Sequence, residues 1–439
     1  MATPNLALFP SGRKATKLYS VLPTDGTGDF TVARASQGSE INSDLKIQNV
    51  ANNVPRFTYD TLGGCPSLLT EPQSTNLITY PVSFGNNYWT KNGATIEGDA
   101  TTVGAEIITG GLELTNGSAW DFNFGAVTFS GAGASFNAND DRLVETTLLT
   151  VGQLYLCEID ITTNTATSFN IDNNGFPIYK SSTTTGVQSF YFTASSTNFR
   201  IIQIGAGAVD VASLSVKEVQ GFSSPHVDYP TSAFKLVEDT STSLHRIIPI
   251  SSISVTATNT YTISVFAKSS NRNINLNGAF IGANSTFNLS TGVIDATASG
   301  SAKIEALADG WYRCSITGVA PSTVTDGFYY QINKTANGDD SYLGDGTSGV
   351  YIFGAQLEQQ SVATSFMYNG TEGATVTRNA DVVTGAGDAS TFNDSEGVLF
   401  AEIAALANDG TERRLSLQDN GTFDAVRITF TPTANSLNA

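Results

Sequence analysis

Residues that could carry chemistry are few. The only histidines are His226 and His245. A serine nucleophile needs a histidine steered by a carboxylate toward a hydroxyl. Neither histidine sits in a nucleophile motif, so both are expected to be structural. Metalloprotease spacing and phosphate-binding glycine loops are absent. Glycoside hydrolysis needs two facing carboxylates, and the candidates are Glu145, Glu158, Asp160, Glu305 and Asp309. Glu158 and Asp160 alternate along one predicted strand and share a face with ordinary solvated positions. Nothing singles out an acid and a base, and no catalytic residue is expected.

Two other chemistries remain. Asn337 to Asp345 is the densest run of oxygen ligands, and Asp339, Asp340 and Asp345 are its candidate metal ligands, of the type calcium prefers. The spacing is not that of a helix–loop–helix site, and an acid-rich hairpin turn is the ordinary reading. Sugar binding on a β-sandwich needs exposed aromatic platforms with polar partners. Trp120 beside a turn and Tyr342 are the candidate carbohydrate-binding residues. Trp89 and Trp311 read as core.

The elements that would position these groups are short strands. Leu154–Ile161, Ser189–Thr193, Phe199–Ile204 and Val209–Val219 alternate two faces. Turns stand between them, as at Asp172–Gly175. Tyr261–Lys268, Gly310–Ile316 and Gly349–Leu357 repeat that plan, a weak internal repeat too long for a solenoid. Charged residues are 14% of the 439 residues and the net charge is −18. Few charges with many turn formers and β-branched residues predict an all-β chain of tandem jelly-roll β-sandwiches. The acidity argues against nucleic acid and against an anionic membrane surface. Cys65, Cys157 and Cys314 are odd in number and not in metal spacing, which predicts buried free thiols in a reducing compartment. Met1–Asn5 carries no signal-peptide pattern, and no apolar run approaches a membrane span.

One ordered set of small motifs goes further. Phe30–Ser36, Asn53–Asp60 and Ser67–Leu77 precede an "NLi…F…W" entry at Asn76–Trp89. "YTISVFAK" (261–268), "FNLSTGVI" (287–294), "GWYRCSIT" (310–317) and "GVYIFGAQLE" (349–358) follow, and then "VTRNADV" (376–382). This order resembles the structural and fibre proteins of tailed bacteriophages that carry carbohydrate-binding-module-like jelly rolls. Ser67 and Ser74 depart from the usual glycine and arginine. Phe392–Ile403 resembles the first strands of a concanavalin-like, laminin-G-like sandwich.

The resemblance implies an extended leader or attachment region over 1–80, jelly roll 1 over 81–221 and jelly roll 2 over 222–384. Residues 385–439 would begin an incomplete third sandwich. It implies a non-enzymatic virion surface protein, a tail fibre, head fibre, spike or decoration, assembled in the host cytoplasm and attaching to host glycans. A connector binding only other virion proteins is the alternative, and a glycan-cleaving tailspike the third. No cofactor is expected beyond a structural Ca2+, which the resemblance would place near Asn76. The leader has too little apolar sequence for a core of its own, so a neighbour or another copy is expected to cover it. That, with the incomplete C-terminal end, predicts a homotrimer. Alternation also predicts a buried Cys314 and an Arg313 with an exposed head.

Overall fold

The computed structural model describes residues 4–438 apart from 11, 62–64, 99–102, 110–113, 116, 132, 151–153, 174, 176–177, 195, 220, 251–252, 335–340, 393–395, 419–424 and 434–436. The chain is all-β. It divides into two compact units, one of Val82–Arg246 and Leu343–Phe353, the other of Met1–Pro81, Ile247–Tyr342 and Gly354–Ala439.

The first unit holds an antiparallel sandwich. One sheet runs Thr128–Ser130, Gly133–Phe136, Val209–Val219, Leu154–Asn164 and Gly186–Thr193, with Val103–Glu106 also on Val209–Val219. The other runs Phe122–Phe124, Arg142–Glu145, Phe199–Ile204, Ser168–Asp172 and Ile178–Ser182. Side chains alternate faces along a strand, so register decides the core. Cys157 lies opposite Val216 and Ile159 opposite Leu214, while Leu143 faces Ile201 and Ile201 faces Ile171. All are buried in one apolar cluster with Phe136 and Phe169, whose rings meet edge-on at 4.9 Å. Burying each such side chain contributes about 1.5–3 kcal/mol.

In the second unit Thr260–Ser270, Tyr312–Val319 and Ser301–Ala306 pair in that order. Val293–Ser299, Ala283–Asn288, Asn273–Gly278 and Tyr329–Asn333 form the other antiparallel group. Ile263 opposite Ile316 and Val265 opposite Cys314, with Ile274, Leu276, Phe287 and Ile332, make the apolar interior, all fully buried. Tyr330 donates from its hydroxyl to the Ser264 carbonyl at 3.0 Å. The other face of the Thr260–Ser270 strand is covered by the segment after Gly354. That glycine has φ +62°, and a Cβ there would lie 2.9 Å from both Phe266 and Phe366, which explains a glycine in "GAQLE".

Arg313 is on this covered face and corrects the exposed head expected of it. It is 8% exposed, donates to Ser264 Oγ at 3.2 Å and stacks over Phe266 at 5.2 Å. Alternation gave the face correctly, but a sequence does not say that both faces of a strand are covered.

Residues 1–81 belong to this second unit, so their own chain supplies the neighbour they lack in sequence. Leu18, Val32, Ile47 and Ile78 are buried there, and a cluster of charges holds the segment as well. Arg34 donates to Asp381 Oδ1 at 2.9 Å and to the carbonyls of Ser36, Ala51 and Val54. Arg56 reaches Glu71 at 2.7 Å, Ser365 Oγ at 2.6 Å and the Asp381 carboxylate. Arg378 donates to the Pro72 carbonyl at 2.9 Å and lies 3.4 Å from Glu71. All five charged side chains are at most 3% exposed. Burial pushes the Glu71 carboxyl up, but Arg56 and Arg378 outweigh it and hold it at about 2. Strands Ser74–Asn76 and Val376–Arg378 pair beside this cluster.

Among the described residues from 385 to 412 there is no strand, so the described part of Phe392–Ile403 does not form the strands expected of it. A meander of Arg413–Gln418, Ala425–Phe430 and Leu437–Asn438 follows.

Candidate functional site: an amide-lined sheet face

The strand Asn273–Gly278 carries asparagine at every second position, 273, 275 and 277. Period-two alternation puts all three on one face, opposite Ile274 and Leu276 in the core. Register brings matching groups beside them. Asn275 lies between Thr286 and Gln331, Asn277 between Asn284 and Tyr329, and Asn273 opposite Asn333. The outcome is a grid of amides and hydroxyls over four strands.

Cross-strand bonds order the grid. Asn275 Nδ2 donates to Asn284 Oδ1 at 2.8 Å and Thr286 Oγ1 at 2.9 Å. Thr286 also accepts from Asn333 at 3.3 Å, and Gln331 donates to Asn333 Oδ1 at 3.0 Å. Asn275, Thr286, Gln331 and Asn333 are buried, while Asn273, Asn277, Asn284, Asn288 and Asp295 are half-buried. The inner groups thus orient the outer ones. Asn277 Oδ1 accepts from the Ala279 amide at 3.1 Å and Asn284 Oδ1 from Asn275, so both present Nδ2 outward as donors. At the opposite end Asp295, at a register shift of its strand, accepts from Asn273 at 3.2 Å and Asn288 at 3.4 Å. Four residues of strand, about 13 Å, separate the two ends. Donors at one end and a carboxylate at the other suit a ligand that both accepts and donates, as a hydroxyl-rich one does.

The expected site residues fall differently. Tyr342 borders the grid, with Arg272 and Lys334 each 6.0 Å from its ring centroid. It is 9% exposed, too covered to offer an open stacking face. Trp120 is 4% exposed within the first unit's apolar cluster, which corrects its reading as a surface platform. The one-turn helix Gly117–Ala119 precedes it and breaks the alternation, so Phe122 and Phe124 are exposed instead. Asp345 is spent on its own turn. The amides of Ser348 and Thr347 and the Ser348 hydroxyl donate to it and hold its carboxyl well below the usual range. Asp339 and Asp340 lie outside the described residues. Among the described residues no group of three or more His, Cys, Asp or Glu could hold a metal. Asn76 is fully buried, donating to the Ala355 carbonyl at 3.1 Å and accepting from the Ile78 and Leu357 amides, so a cation there would have to displace those bonds.

Both histidines are buried. His226 Nδ1 accepts from the Asp228 amide at 3.1 Å, and burial pushes the ring down to about 3. The exposed Asp228 carboxylate at 3.7 Å does not reverse this. Of the carboxylates, Glu145 accepts from the Asp121 amide at 2.7 Å, Glu305 pairs with Lys303 at 2.7 Å and Asp309 with Lys46 at 3.0 Å. Glu158 and Asp160 are half-buried along their strand.

No protein-family model and no curated protein matches the chain. Among solved structures, the tandem N-terminal CBM22-1–CBM22-2 domain of Xyn10C from Paenibacillus barcinonensis is similar to it. Identity is 10%, coverage 66% of this chain and 99% of that one, and the TM-score 0.24.

Proposed function

We propose that this protein is a non-catalytic glycan-binding structural protein, and that the amide-lined face is where the glycan sits. The observation that carries the reading is the grid itself. Nine polar side chains converge on a face turned away from an apolar interior, ordered by bonds between Asn275, Asn284, Thr286, Gln331 and Asn333. A sheet face needs no such array to fold, because alternating solvated residues suffice. The motif order from Phe30 to Val382 supports placing the protein on a tailed-phage virion, as a surface appendage built of homotrimers.

The test is a glycan array with the full chain beside Asn275→Ala and Asn284→Ala. Binding by the parent, lost at least tenfold in both variants, is expected. Parent binding that survives both variants would move the site elsewhere. Light scattering of the purified chain checks the assembly, and a folded monomer would refute the trimer. One observation favours the connector reading: Val398 and Phe400 are 95% and 85% exposed, surface that virion partners would cover.

A further inference from the structure

Resting on the reading of the amide face as a glycan site, we infer that its ligand is an uncharged oligosaccharide and that Asp295 is the residue that rejects acidic ones. On Val293–Ser299, Ala283–Asn288, Asn273–Gly278 and Tyr329–Asn333 the described polar residues of the face are amides, hydroxyls, one tyrosine and one carboxylate. Arg272 and Lys334 stand at the margin, grouped on the Tyr342 ring. Asp295 is aimed into the face by Asn273 and Asn288, which both donate to it.

A sugar hydroxyl is donor and acceptor at once. In a hydroxyl-rich ligand one hydroxyl can accept from Asn277 or Asn284 while another donates to Asp295, and no group is left unpaired. An ionised uronate or sulfate accepts only. Brought to the Asp295 end it has nothing to donate, and it meets a like charge in a half-buried setting where screening is weak. Rejection of an acidic ligand therefore comes from both the missing donor and the repulsion. The span of about 13 Å between the donor pair and Asp295 exceeds one pyranose ring, which makes an oligosaccharide, rather than a monosaccharide, the ligand that uses both ends.

The experiment titrates the full chain with neutral oligosaccharides taken from the array hits and with the carboxymethylated derivative of each. Wild type should bind the neutral member at least about tenfold more tightly, a difference of about 1.4 kcal/mol. Asp295→Asn should bring the two within about threefold, whatever it does to the affinity for the neutral member. The gap in wild type should also shrink as salt rises, a readout that needs no variant. Equal or tighter binding of carboxymethylated ligands by wild type overturns the inference and leaves the glycan site standing, as does a gap that Asp295→Asn and salt both leave unchanged. Absence of binding to any saccharide overturns the site reading itself.

Discussion

The two units put polar side chains to different uses. The first unit settles its buried Asp141, Gln203 and Glu238 on backbone amides and carbonyls. Its sandwich rests on one apolar cluster, its buried His226 is neutral, and the outward face of its second sheet carries Phe122, Phe124 and Ile178 beside a two-pronged Arg200–Asp172 pair at 2.8 Å. The second unit buries three arginines against Glu71 and Asp381 and lines its corresponding outward face with amides. One order of strands thus accepts two solutions. Burial of apolar area is tolerant of detail, whereas buried charge is costly unless every partner is in place. The first unit should therefore bend under substitution and the second should break.

Acid gives the widest separation between them. Unfolded His226 takes up a proton below roughly 6.5, while the folded ring stays neutral down to about 3. The unfolded state binds more protons in that window, so the first unit loses stability as pH falls through it, by about 1.4 kcal/mol per pH unit and about 4–5 kcal/mol in all. Glu71 acts later. Its contribution is fully present above its unfolded value of 4.5 and is lost as pH falls toward about 2, about 3 kcal/mol. Hydrogen exchange from pH 7 to 3 should show the segment 222–233, which packs His226 against Tyr229 and Phe353, weakening before the strands around Ser74–Asn76. The reverse order would sink the assignment of a neutral buried His226.

Substitution sharpens the contrast. Arg56→Ala leaves Glu71 and Asp381 short of a buried partner and should cost the second unit about 3–5 kcal/mol. In the first unit, Phe199→Leu keeps the apolar character of a fully buried site and should cost less than about 1.5 kcal/mol. Calorimetry of the two variants measures both. Equal losses would mean that the charge cluster is no more demanding than the core.

These results also mark what a sequence can convey. Strands Phe199–Ile204 and Val209–Val219 are legible because alternation is local, and the fold class follows from many such runs. The amide face was equally local, Asn273, Asn275 and Asn277 at period two, yet asparagine reads first as a turn former, and the signal passed unused. The charge cluster was not legible. Arg34 and Asp381 are 347 positions apart, and nothing in either neighbourhood names the other. Trp120 failed for a third reason, since one short helix shifted which aromatic faces out.

Asn275→Ala tests the second unit more gently. It removes the donor that serves Asn284 and Thr286, and polar groups left unpaired at a buried site cost about 1–3 kcal/mol. The predicted signature is a small fall in melting temperature together with a large loss of glycan binding. A large fall in stability would instead make the grid a structural element and weaken its reading as a site.

The smallest effect expected is one of no reaction, and it checks both interiors at once. Cys157 in the first unit and Cys314 in the second are fully buried, and burial pushes both thiols far up. Cys65 is exposed. Alkylation requires the thiolate and access to it, so the native protein should take up one equivalent of iodoacetamide rapidly and all three only after unfolding. Because Cys157 lies on Leu154–Asn164 and Cys314 on Tyr312–Val319, one in each interior, a second equivalent taken up by the native chain identifies which interior opens. With 4,4′-dithiodipyridine, which reacts with thiols in acid, labelling at Cys157 before Cys314 as pH falls toward 4 would agree with the earlier loss of the first unit. Labelling at Cys314 first would place the weaker interior beneath the charge cluster and overturn the order of stabilities argued from His226 and Glu71.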